Sequence, residues 1–231
     1  MSEGADSMLP AIEATGVARR FGTTWVLRGV TLSVAPGEVV ALLGANGSGK
    51  STFLRIVSTL LRPHAGTAKV CGHDVVRDAH AVRSQVGFLA HSPALYSDLT
   101  VRENLTFAAA MLDRPDTQVD PVLERVGLLG AADRQVRSLS AGMQRRLALG
   151  RLILVRPRVL LLDEPYSNLD PDGIQLMNSL IGEWSAQGVA ALVVLHELAP
   201  AASVLHRTIM LRDGRIDAER GAHLSLAAGG R

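Results

Sequence analysis

The sequence predicts an α/β domain whose sheet is interrupted by a helical insertion. Three observations predict it. Short apolar runs alternate with helical patterns between Ile12 and Leu89; no convincing strand breaks the stretch Leu99–Val155; and strand signals return at Val159–Leu162, Ala190–Leu195 and Thr208–Leu211. The 231 residues fit a single domain, with the inserted helical part expected at about 95–156.

The elements follow in order. Ile12–Val17 and Val30–Val34 read as strands, with Pro36-Gly37 as the turn after them. Val39–Leu43 is a short apolar run suited to a buried strand; a glycine-rich loop and then a helix from about Lys50 to Leu61 follow it. Val86–Leu89 is a further strand. In the insertion, Val101–Leu112, Val119–Leu128 and Ala141–Val155 carry helical patterns, Pro115 and Pro121 punctuate the first two, and Ser140 is placed to cap the third. A helix over Pro171–Ala186 separates the strands at Val159–Leu162 and Ala190–Leu195. Met1–Pro10 and Ala227–Arg231 read as loose ends.

Composition narrows the function classes. With 47% hydrophobic and only 3% aromatic residues, the core must be built from Ala, Val, Leu and Ile. Basic and acidic residues nearly balance at 24 and 22, which excludes a broad polycationic surface and argues against nucleic acid as a partner. The lone Cys71 excludes an intramolecular disulfide and suggests a reducing compartment. No run approaches the roughly 18 apolar residues of a membrane span, and Met1–Pro10 lacks the pattern of a signal peptide. A soluble, cytoplasmic chain is expected. Of the 24 basic residues only Lys50 and Lys69 are lysine; the arginine excess reads mostly as compositional background.

One of those lysines sits in the most informative segment. Gly44-Ala45-Asn46-Gly47-Ser48-Gly49-Lys50-Ser51 fits G-x-x-x-x-G-K-[ST] at every fixed position, between an apolar strand and a helix. Glycines let backbone N–H groups wrap a phosphate, and the helix adds its N-terminal partial positive charge. Lys50 is then placed for the β- and γ-phosphates and Ser51 for Mg²⁺, with Thr52 completing the phosphate-binding set. A compact ammonium suits the position where a planar guanidinium would not.

The run Val159-Leu160-Leu161-Leu162-Asp163-Glu164 brings two carboxylates to the end of a buried strand, the edge at which ligands bind in open α/β sheets. Asp163 is expected to hold Mg²⁺ and Glu164 to polarise the attacking water. No lysine follows Lys69, so a guanine-reading Asn/Thr-Lys-x-Asp motif is impossible beyond it, and adenine is the expected base. Phe21 is the first candidate to stack on it and Trp25 the second; plain packing is the alternative for Phe21.

Between these sites lies Leu139-Ser140-Ala141-Gly142-Met143-Gln144 at the start of a helix. With the phosphate loop, the acidic strand end, Ser167-Asn168-Leu169-Asp170 and His196 in the same order, the chain resembles the nucleotide-binding subunits of ABC transporters from about Ile12 to Asp217. The usual signature is LSGGQ: Ser140 and Gly142 match, Ala141 and Met143 depart. The resemblance implies a P-loop NTPase (RecA-like) core with an antiparallel β subdomain and an inserted α-helical subdomain. It implies an ATPase working as a head-to-tail homodimer with two ATP molecules between subunits, Mg²⁺ as cofactor, and integral membrane permease subunits as partners at the cytoplasmic face of the membrane. Ser140, Gly142 and Met143 would face the nucleotide of the other subunit. His196 matches the switch histidine that touches the γ-phosphate, and Asp170 would couple the two sites.

In Gly87-Phe88-Leu89-Ala90-His91-Ser92-Pro93, His91 stands where most members of this family carry glutamine, beside the contact with the membrane subunit and near Mg²⁺ and the attacking water. This segment, Ser140-Ala141-Gly142-Met143-Gln144-Arg145-Arg146-Leu147 and Asp163-Glu164-Pro165-Tyr166 together resemble the haem-exporter ATP-binding subunits of cytochrome c biogenesis. Ala90 and Ser92 depart from the Gly-His-Gln common there. No haem is expected on this chain, because neither His91 nor Cys71 lies in a Cys-x-x-Cys-His motif. A drug, lipid or polysaccharide exporter is the alternative. A soluble non-transport ATPase of the family fits less well, since the chain has one phosphate loop and one signature.

Overall fold

A computed structural model of the chain describes residues 9–221. The loose ends expected at Met1–Pro10 and Ala227–Arg231 lie outside the described residues except for Leu9 and Pro10. The fold is a P-loop NTPase-type α/β arrangement of two sheets and surrounding helices. A six-stranded sheet has the order β10 (Arg215–Gly221), β9 (Arg207–Arg212), β3 (Val39–Leu43), β8 (Ala190–Val194), β7 (Val159–Asp163) and β6 (Val86–Leu89). All its pairings are parallel except the edge pair β9–β10. A four-stranded antiparallel sheet has the order β2 (Thr24–Val34), β1 (Ile12–Phe21), β4 (Ala65–Val70) and β5 (His73–Asp74).

The central strands read as unbroken apolar runs because both faces are covered. In β3, Val39 and Ala41 point into one core while Val40 and Leu42 point into another. In β7, Leu160 and Leu162 enter the first core and Val159 and Leu161 the second; β8 divides its residues in the same way. The first core is closed by α3 (Val101–Met111), α4 (Val119–Arg125), α5 (Ala141–Val155) and α6 (Pro171–Ala186). The second lies under the antiparallel sheet and α1 (Lys50–Val57).

The helices between β6 and β7 start on local signals. Thr100 and Glu103 form a reciprocal capping box at α3, with Glu103 N donating to Thr100 Oγ1 at 3.1 Å and Thr100 N to Glu103 Oε2 at 2.8 Å. Ser140 caps α5 by accepting from Met143 N at 3.2 Å. Helix α5 ends at Arg156, which adopts a left-handed φ of 51° just before Pro157. Asp170 caps α6, with Pro171 in its first turn.

Several elements differ from the sequence-based expectation. The first two strands extend to meet in a hairpin at Phe21 and Thr24. The first helix stops at Val57, where Ser58 caps it and Thr59 turns left-handed; the fourth stops at Arg125 ahead of the left-handed Gly127. Strands β4, β5 and β10 and the short helix α2 (Ala79–Arg83) were not anticipated. In β4 only Ala68 and Val70 are buried, and β10 is an edge strand with no fully buried residue, so neither displays an apolar run.

Candidate functional site

Because β3, β6, β7 and β8 run parallel, their carboxyl ends share one edge of the sheet. Gly44, Ala90 and His91, Asp163 and Glu164, and Leu195 and His196 therefore converge there from distant parts of the chain.

The loop after β3 is shaped by its glycines at two positions. Gly44 has φ +149°, and a Cβ there would lie 2.2 Å from the Leu211 carbonyl oxygen. Gly49 has φ +109°, and a Cβ would lie 2.6 Å from Leu27 Cδ2 and 2.9 Å from the Val26 carbonyl oxygen. The second contact seats the loop against β2, one residue beyond Trp25. Lys50 opens α1 and is only 6% exposed. Its ammonium folds back over the loop and donates to the carbonyls of Gly44 at 2.7 Å and Ala45 at 3.0 Å. Burial lowers its pKa, against the opposing charges of Glu164 and Asp163. Ala45, Asn46 and Gly47 form the exposed crest, and Thr52 is half-buried behind it. The Ser48 hydroxyl is buried without a partner among the described residues.

Ser51 Oγ stands 3.2 Å from Asp163 Oδ1. A hydroxyl and a carboxylate thus meet beside the loop, a hard-oxygen pair that suits Mg²⁺ completed by phosphate oxygens. The glycine cradle and the orphaned Ser48 hydroxyl likewise fit a bound phosphate chain.

Glu164 follows β7 with a left-handed φ of 52° and a side chain 24% exposed. Its carboxylate lies between two imidazoles: His196 Nε2 is 2.6 Å from Oε1, and His91 Nδ1 is 3.0 Å from Oε2. Burial alone would raise the pKa of Glu164, but the hydrogen bonds and charges of His196 and His91 hold it below the ordinary carboxylate value. The glutamine-position histidine therefore touches the candidate base and is not a free loop residue. Glu164, Tyr166, Ser167, His196 and Glu197 line a cavity of about 210 Å³.

A separate open cavity of about 560 Å³ is lined by Ser140, Gly142, Met143, Arg146, Asn168 and Asp170, and no phosphate-loop residue borders it. Gly142 is forced: a Cβ there would lie 2.7 Å from the Asn168 carbonyl oxygen. The Met143 side chain packs partly into the first core, and Ala141 is exposed. Asp170 accepts from Arg146 at 2.6 Å and from Gly173 N at 2.9 Å; these bonds, the first foremost, keep its carboxyl below its usual pKa.

Phe21 and Trp25 are both exposed at the hairpin, so neither is a core residue. The Arg19 guanidinium lies 5.0 Å from the Phe21 ring centroid and that of Arg20 lies 5.9 Å from that of Trp25. Sequence reasoning missed two arginines of α5: Arg146, on Asp170, and Arg145, which is buried against the loop that carries His91. In a chain so rich in arginine, neither could be singled out by type.

Among the described residues no helix is long and apolar enough to cross a membrane. A family profile described as ABC transporter matches residues 27–167. The daunorubicin resistance ATP-binding protein DrrA3 of Streptomyces coeruleorubidus is 38% identical over 213 residues, spanning 90% of this chain and 67% of that protein. The Nod factor export ATP-binding protein I of Paraburkholderia xenovorans is 38% identical over 222 residues, spanning 94% and 73%. A dimeric structure of a post-hydrolysis state of an ATP-binding cassette bound to ADP and Pi superposes with a TM-score of 0.81 at 26% identity, covering 92% of this chain and 99% of that one. These matches, with the geometry above, show that the chain belongs to the ABC transporter family as an ATP-binding subunit, an ATPase of the kind coupled to transport.

Proposed function

We propose that the chain hydrolyses MgATP as one half of a head-to-tail homodimer that drives an integral membrane permease from the cytoplasmic face. The observation that carries this is the Glu164 carboxylate held by His91 and His196 at the sheet edge shared with Lys50, Ser51 and Asp163. Lys50 exchanges its two carbonyl partners for β- and γ-phosphate oxygens, and the N-terminus of α1 opens onto the same cradle. Ser51 and Asp163 would hold Mg²⁺, which would neutralise phosphate charge when bound. Glu164, kept ionised by its histidines, polarises the water that attacks the γ-phosphorus. The bond to the β–γ bridging oxygen breaks, leaving ADP and phosphate. His196 orients that carboxylate and reaches the γ-phosphate; His91 positions it from the opposite side. Phe21 stacks on adenine, with Trp25 as the second candidate. Ser140, Gly142 and Met143 of one subunit face the γ-phosphate in the other, and Asp170 couples the two sites.

For the cargo, we infer haem for cytochrome c biogenesis. The support is His91 in the loop after β6, together with Asp163-Glu164-Pro165-Tyr166 and the signature segment. The relatives named for daunorubicin resistance and Nod factor export favour the second reading, a drug, lipid or polysaccharide-type exporter. Co-expression separates them. The chain is paired in turn with a haem-handling membrane protein and with a six-span permease, and membrane recovery and ATP turnover are measured. Recovery and stimulated turnover only with the first support haem; only with the second, the alternative. Membrane association that persists without any partner would count against both.

A further inference from the structure

We propose that Arg145 is a positioning residue for hydrolysis: from the helix that presents Ser140 and Gly142, it fixes the loop bearing His91 and so sets that imidazole against Glu164. The proposal rests on the roles assigned above to His91 and Glu164. Arg145 lies one helical turn into α5 and is 2% exposed. Its Nη1 donates to the Ala90 carbonyl at 2.9 Å and its Nη2 to the His91 carbonyl at 2.8 Å. A buried cation is normally matched to a carboxylate. This one is spent on two consecutive carbonyls, at the point where β6 ends and the His91 loop begins.

The geometry uses what is specific to a guanidinium. Its planar fork spans neighbouring acceptors and fixes the plane of the peptide between them, whereas a lysine ammonium is a single point of attachment. The negative charges of Glu164 and Asp163 act on its guanidinium, so Arg145 also belongs to the electrostatic environment of the site. Two more arginines of α5 extend the arrangement. Arg151 donates to the Ala94 carbonyl, strapping the far part of the same loop to the helix, and Arg146 pairs with Asp170 beyond Glu164. The helix whose N-terminus faces the other subunit's nucleotide is thereby tied to segments on both sides of this subunit's carboxylate. When Ser140 and Gly142 engage the opposite phosphate and α5 shifts, the His91 carbonyl moves with it.

The test is a double-mutant cycle on the purified full chain, with Arg145→Gln and Arg145→Lys each combined with His91→Ala. Each single Arg145 variant is expected to lower kcat for ATP about tenfold with KM within about threefold, and to cost less than about twofold once His91 is already Ala. Additive losses, or a loss confined to KM, overturn the proposal. If Arg145→Gln fails to fold, Arg145→Lys, which keeps the charge, decides on the same terms. An arm independent of turnover uses the NMR resonance of the His91 ring, identified by its disappearance in His91→Ala. It is expected to move in Arg145→Lys, and an unmoved resonance also overturns the proposal. Glu164→Gln is run in parallel: unchanged turnover there removes the assignment of the base, and the ring resonance then decides on Arg145 alone.

Discussion

Glu164 Oε1 and His196 Nε2 are 2.6 Å apart, although 32 residues separate them in sequence. They meet because β7 and β8 are adjacent and parallel and both side chains follow the carboxyl ends of their strands. Glu164→Gln keeps the shape and removes the charge. MgATP turnover is expected to fall by about 10²–10⁴-fold while nucleotide still binds, leaving a closed dimer visible by size-exclusion chromatography with ATP. Wild-type turnover in this variant would remove Glu164 from the role of base.

The same carboxylate predicts an acid-side dependence of stability. Its pKa in the folded chain is depressed below the ordinary 4.5, so the stabilisation from its histidine contacts is fully present above that value. It is lost as pH falls through the lower folded-state value. Thermal denaturation between pH 3 and pH 6 is therefore expected to show a shallower acid decline in Glu164→Gln than in wild type, by at most one proton's worth of slope, about 1.4 kcal/mol per pH unit. Parallel curves would place the acid sensitivity elsewhere.

Lys50 is held by two carbonyls in a nearly closed site, which leaves little room for a wider cation. Lys50→Ala is expected to weaken ATP binding by about 100-fold or more, and Lys50→Arg to restore little of it despite conserving the charge. Titration with a fluorescent ATP analogue checks both. Near-native affinity in Lys50→Arg would show that charge alone suffices there.

Much of this was legible in the sequence, for a physical reason. The phosphate loop is a contiguous motif because one short stretch of backbone must wrap one phosphate chain, and β3, β7 and β8 announce themselves because burial on both faces makes them continuously apolar. Asp163 and Glu164 were legible because they end such a run. Strands β4 and β10 were not: β4 buries only Ala68 and Val70 and so shows no apolar run, and β10 is an exposed edge that tolerates Arg, Asp and Glu. Arg145 was invisible for the opposite reason: its significance lies in partners 55 and 54 residues away, which no local pattern encodes.

Gly142 offers the most direct test of how the signature surface and the loop after Glu164 depend on each other. A methyl at this position would lie 2.7 Å from the Asn168 carbonyl oxygen, which is backbone and cannot rotate away. Asn168 already has a left-handed φ of 63°, and Asp170, two residues on, is fixed by Arg146 and by the α6 cap. Relief of the clash must therefore displace either the start of α5 or the segment that follows Glu164. Gly142→Ala is expected to cost about 1–3 kcal/mol of stability, the usual range for overpacking. It is also expected to lower kcat more than that loss would suggest, because each of these segments flanks the proposed catalytic geometry. ATP binding to the separate subunit is expected to stay near wild type, since no phosphate-loop residue borders this cavity. Chemical denaturation, nucleotide titration and turnover at saturating ATP together separate the effects. A variant with lost affinity and unchanged kcat would mean that Gly142 acts on the nucleotide of its own subunit instead.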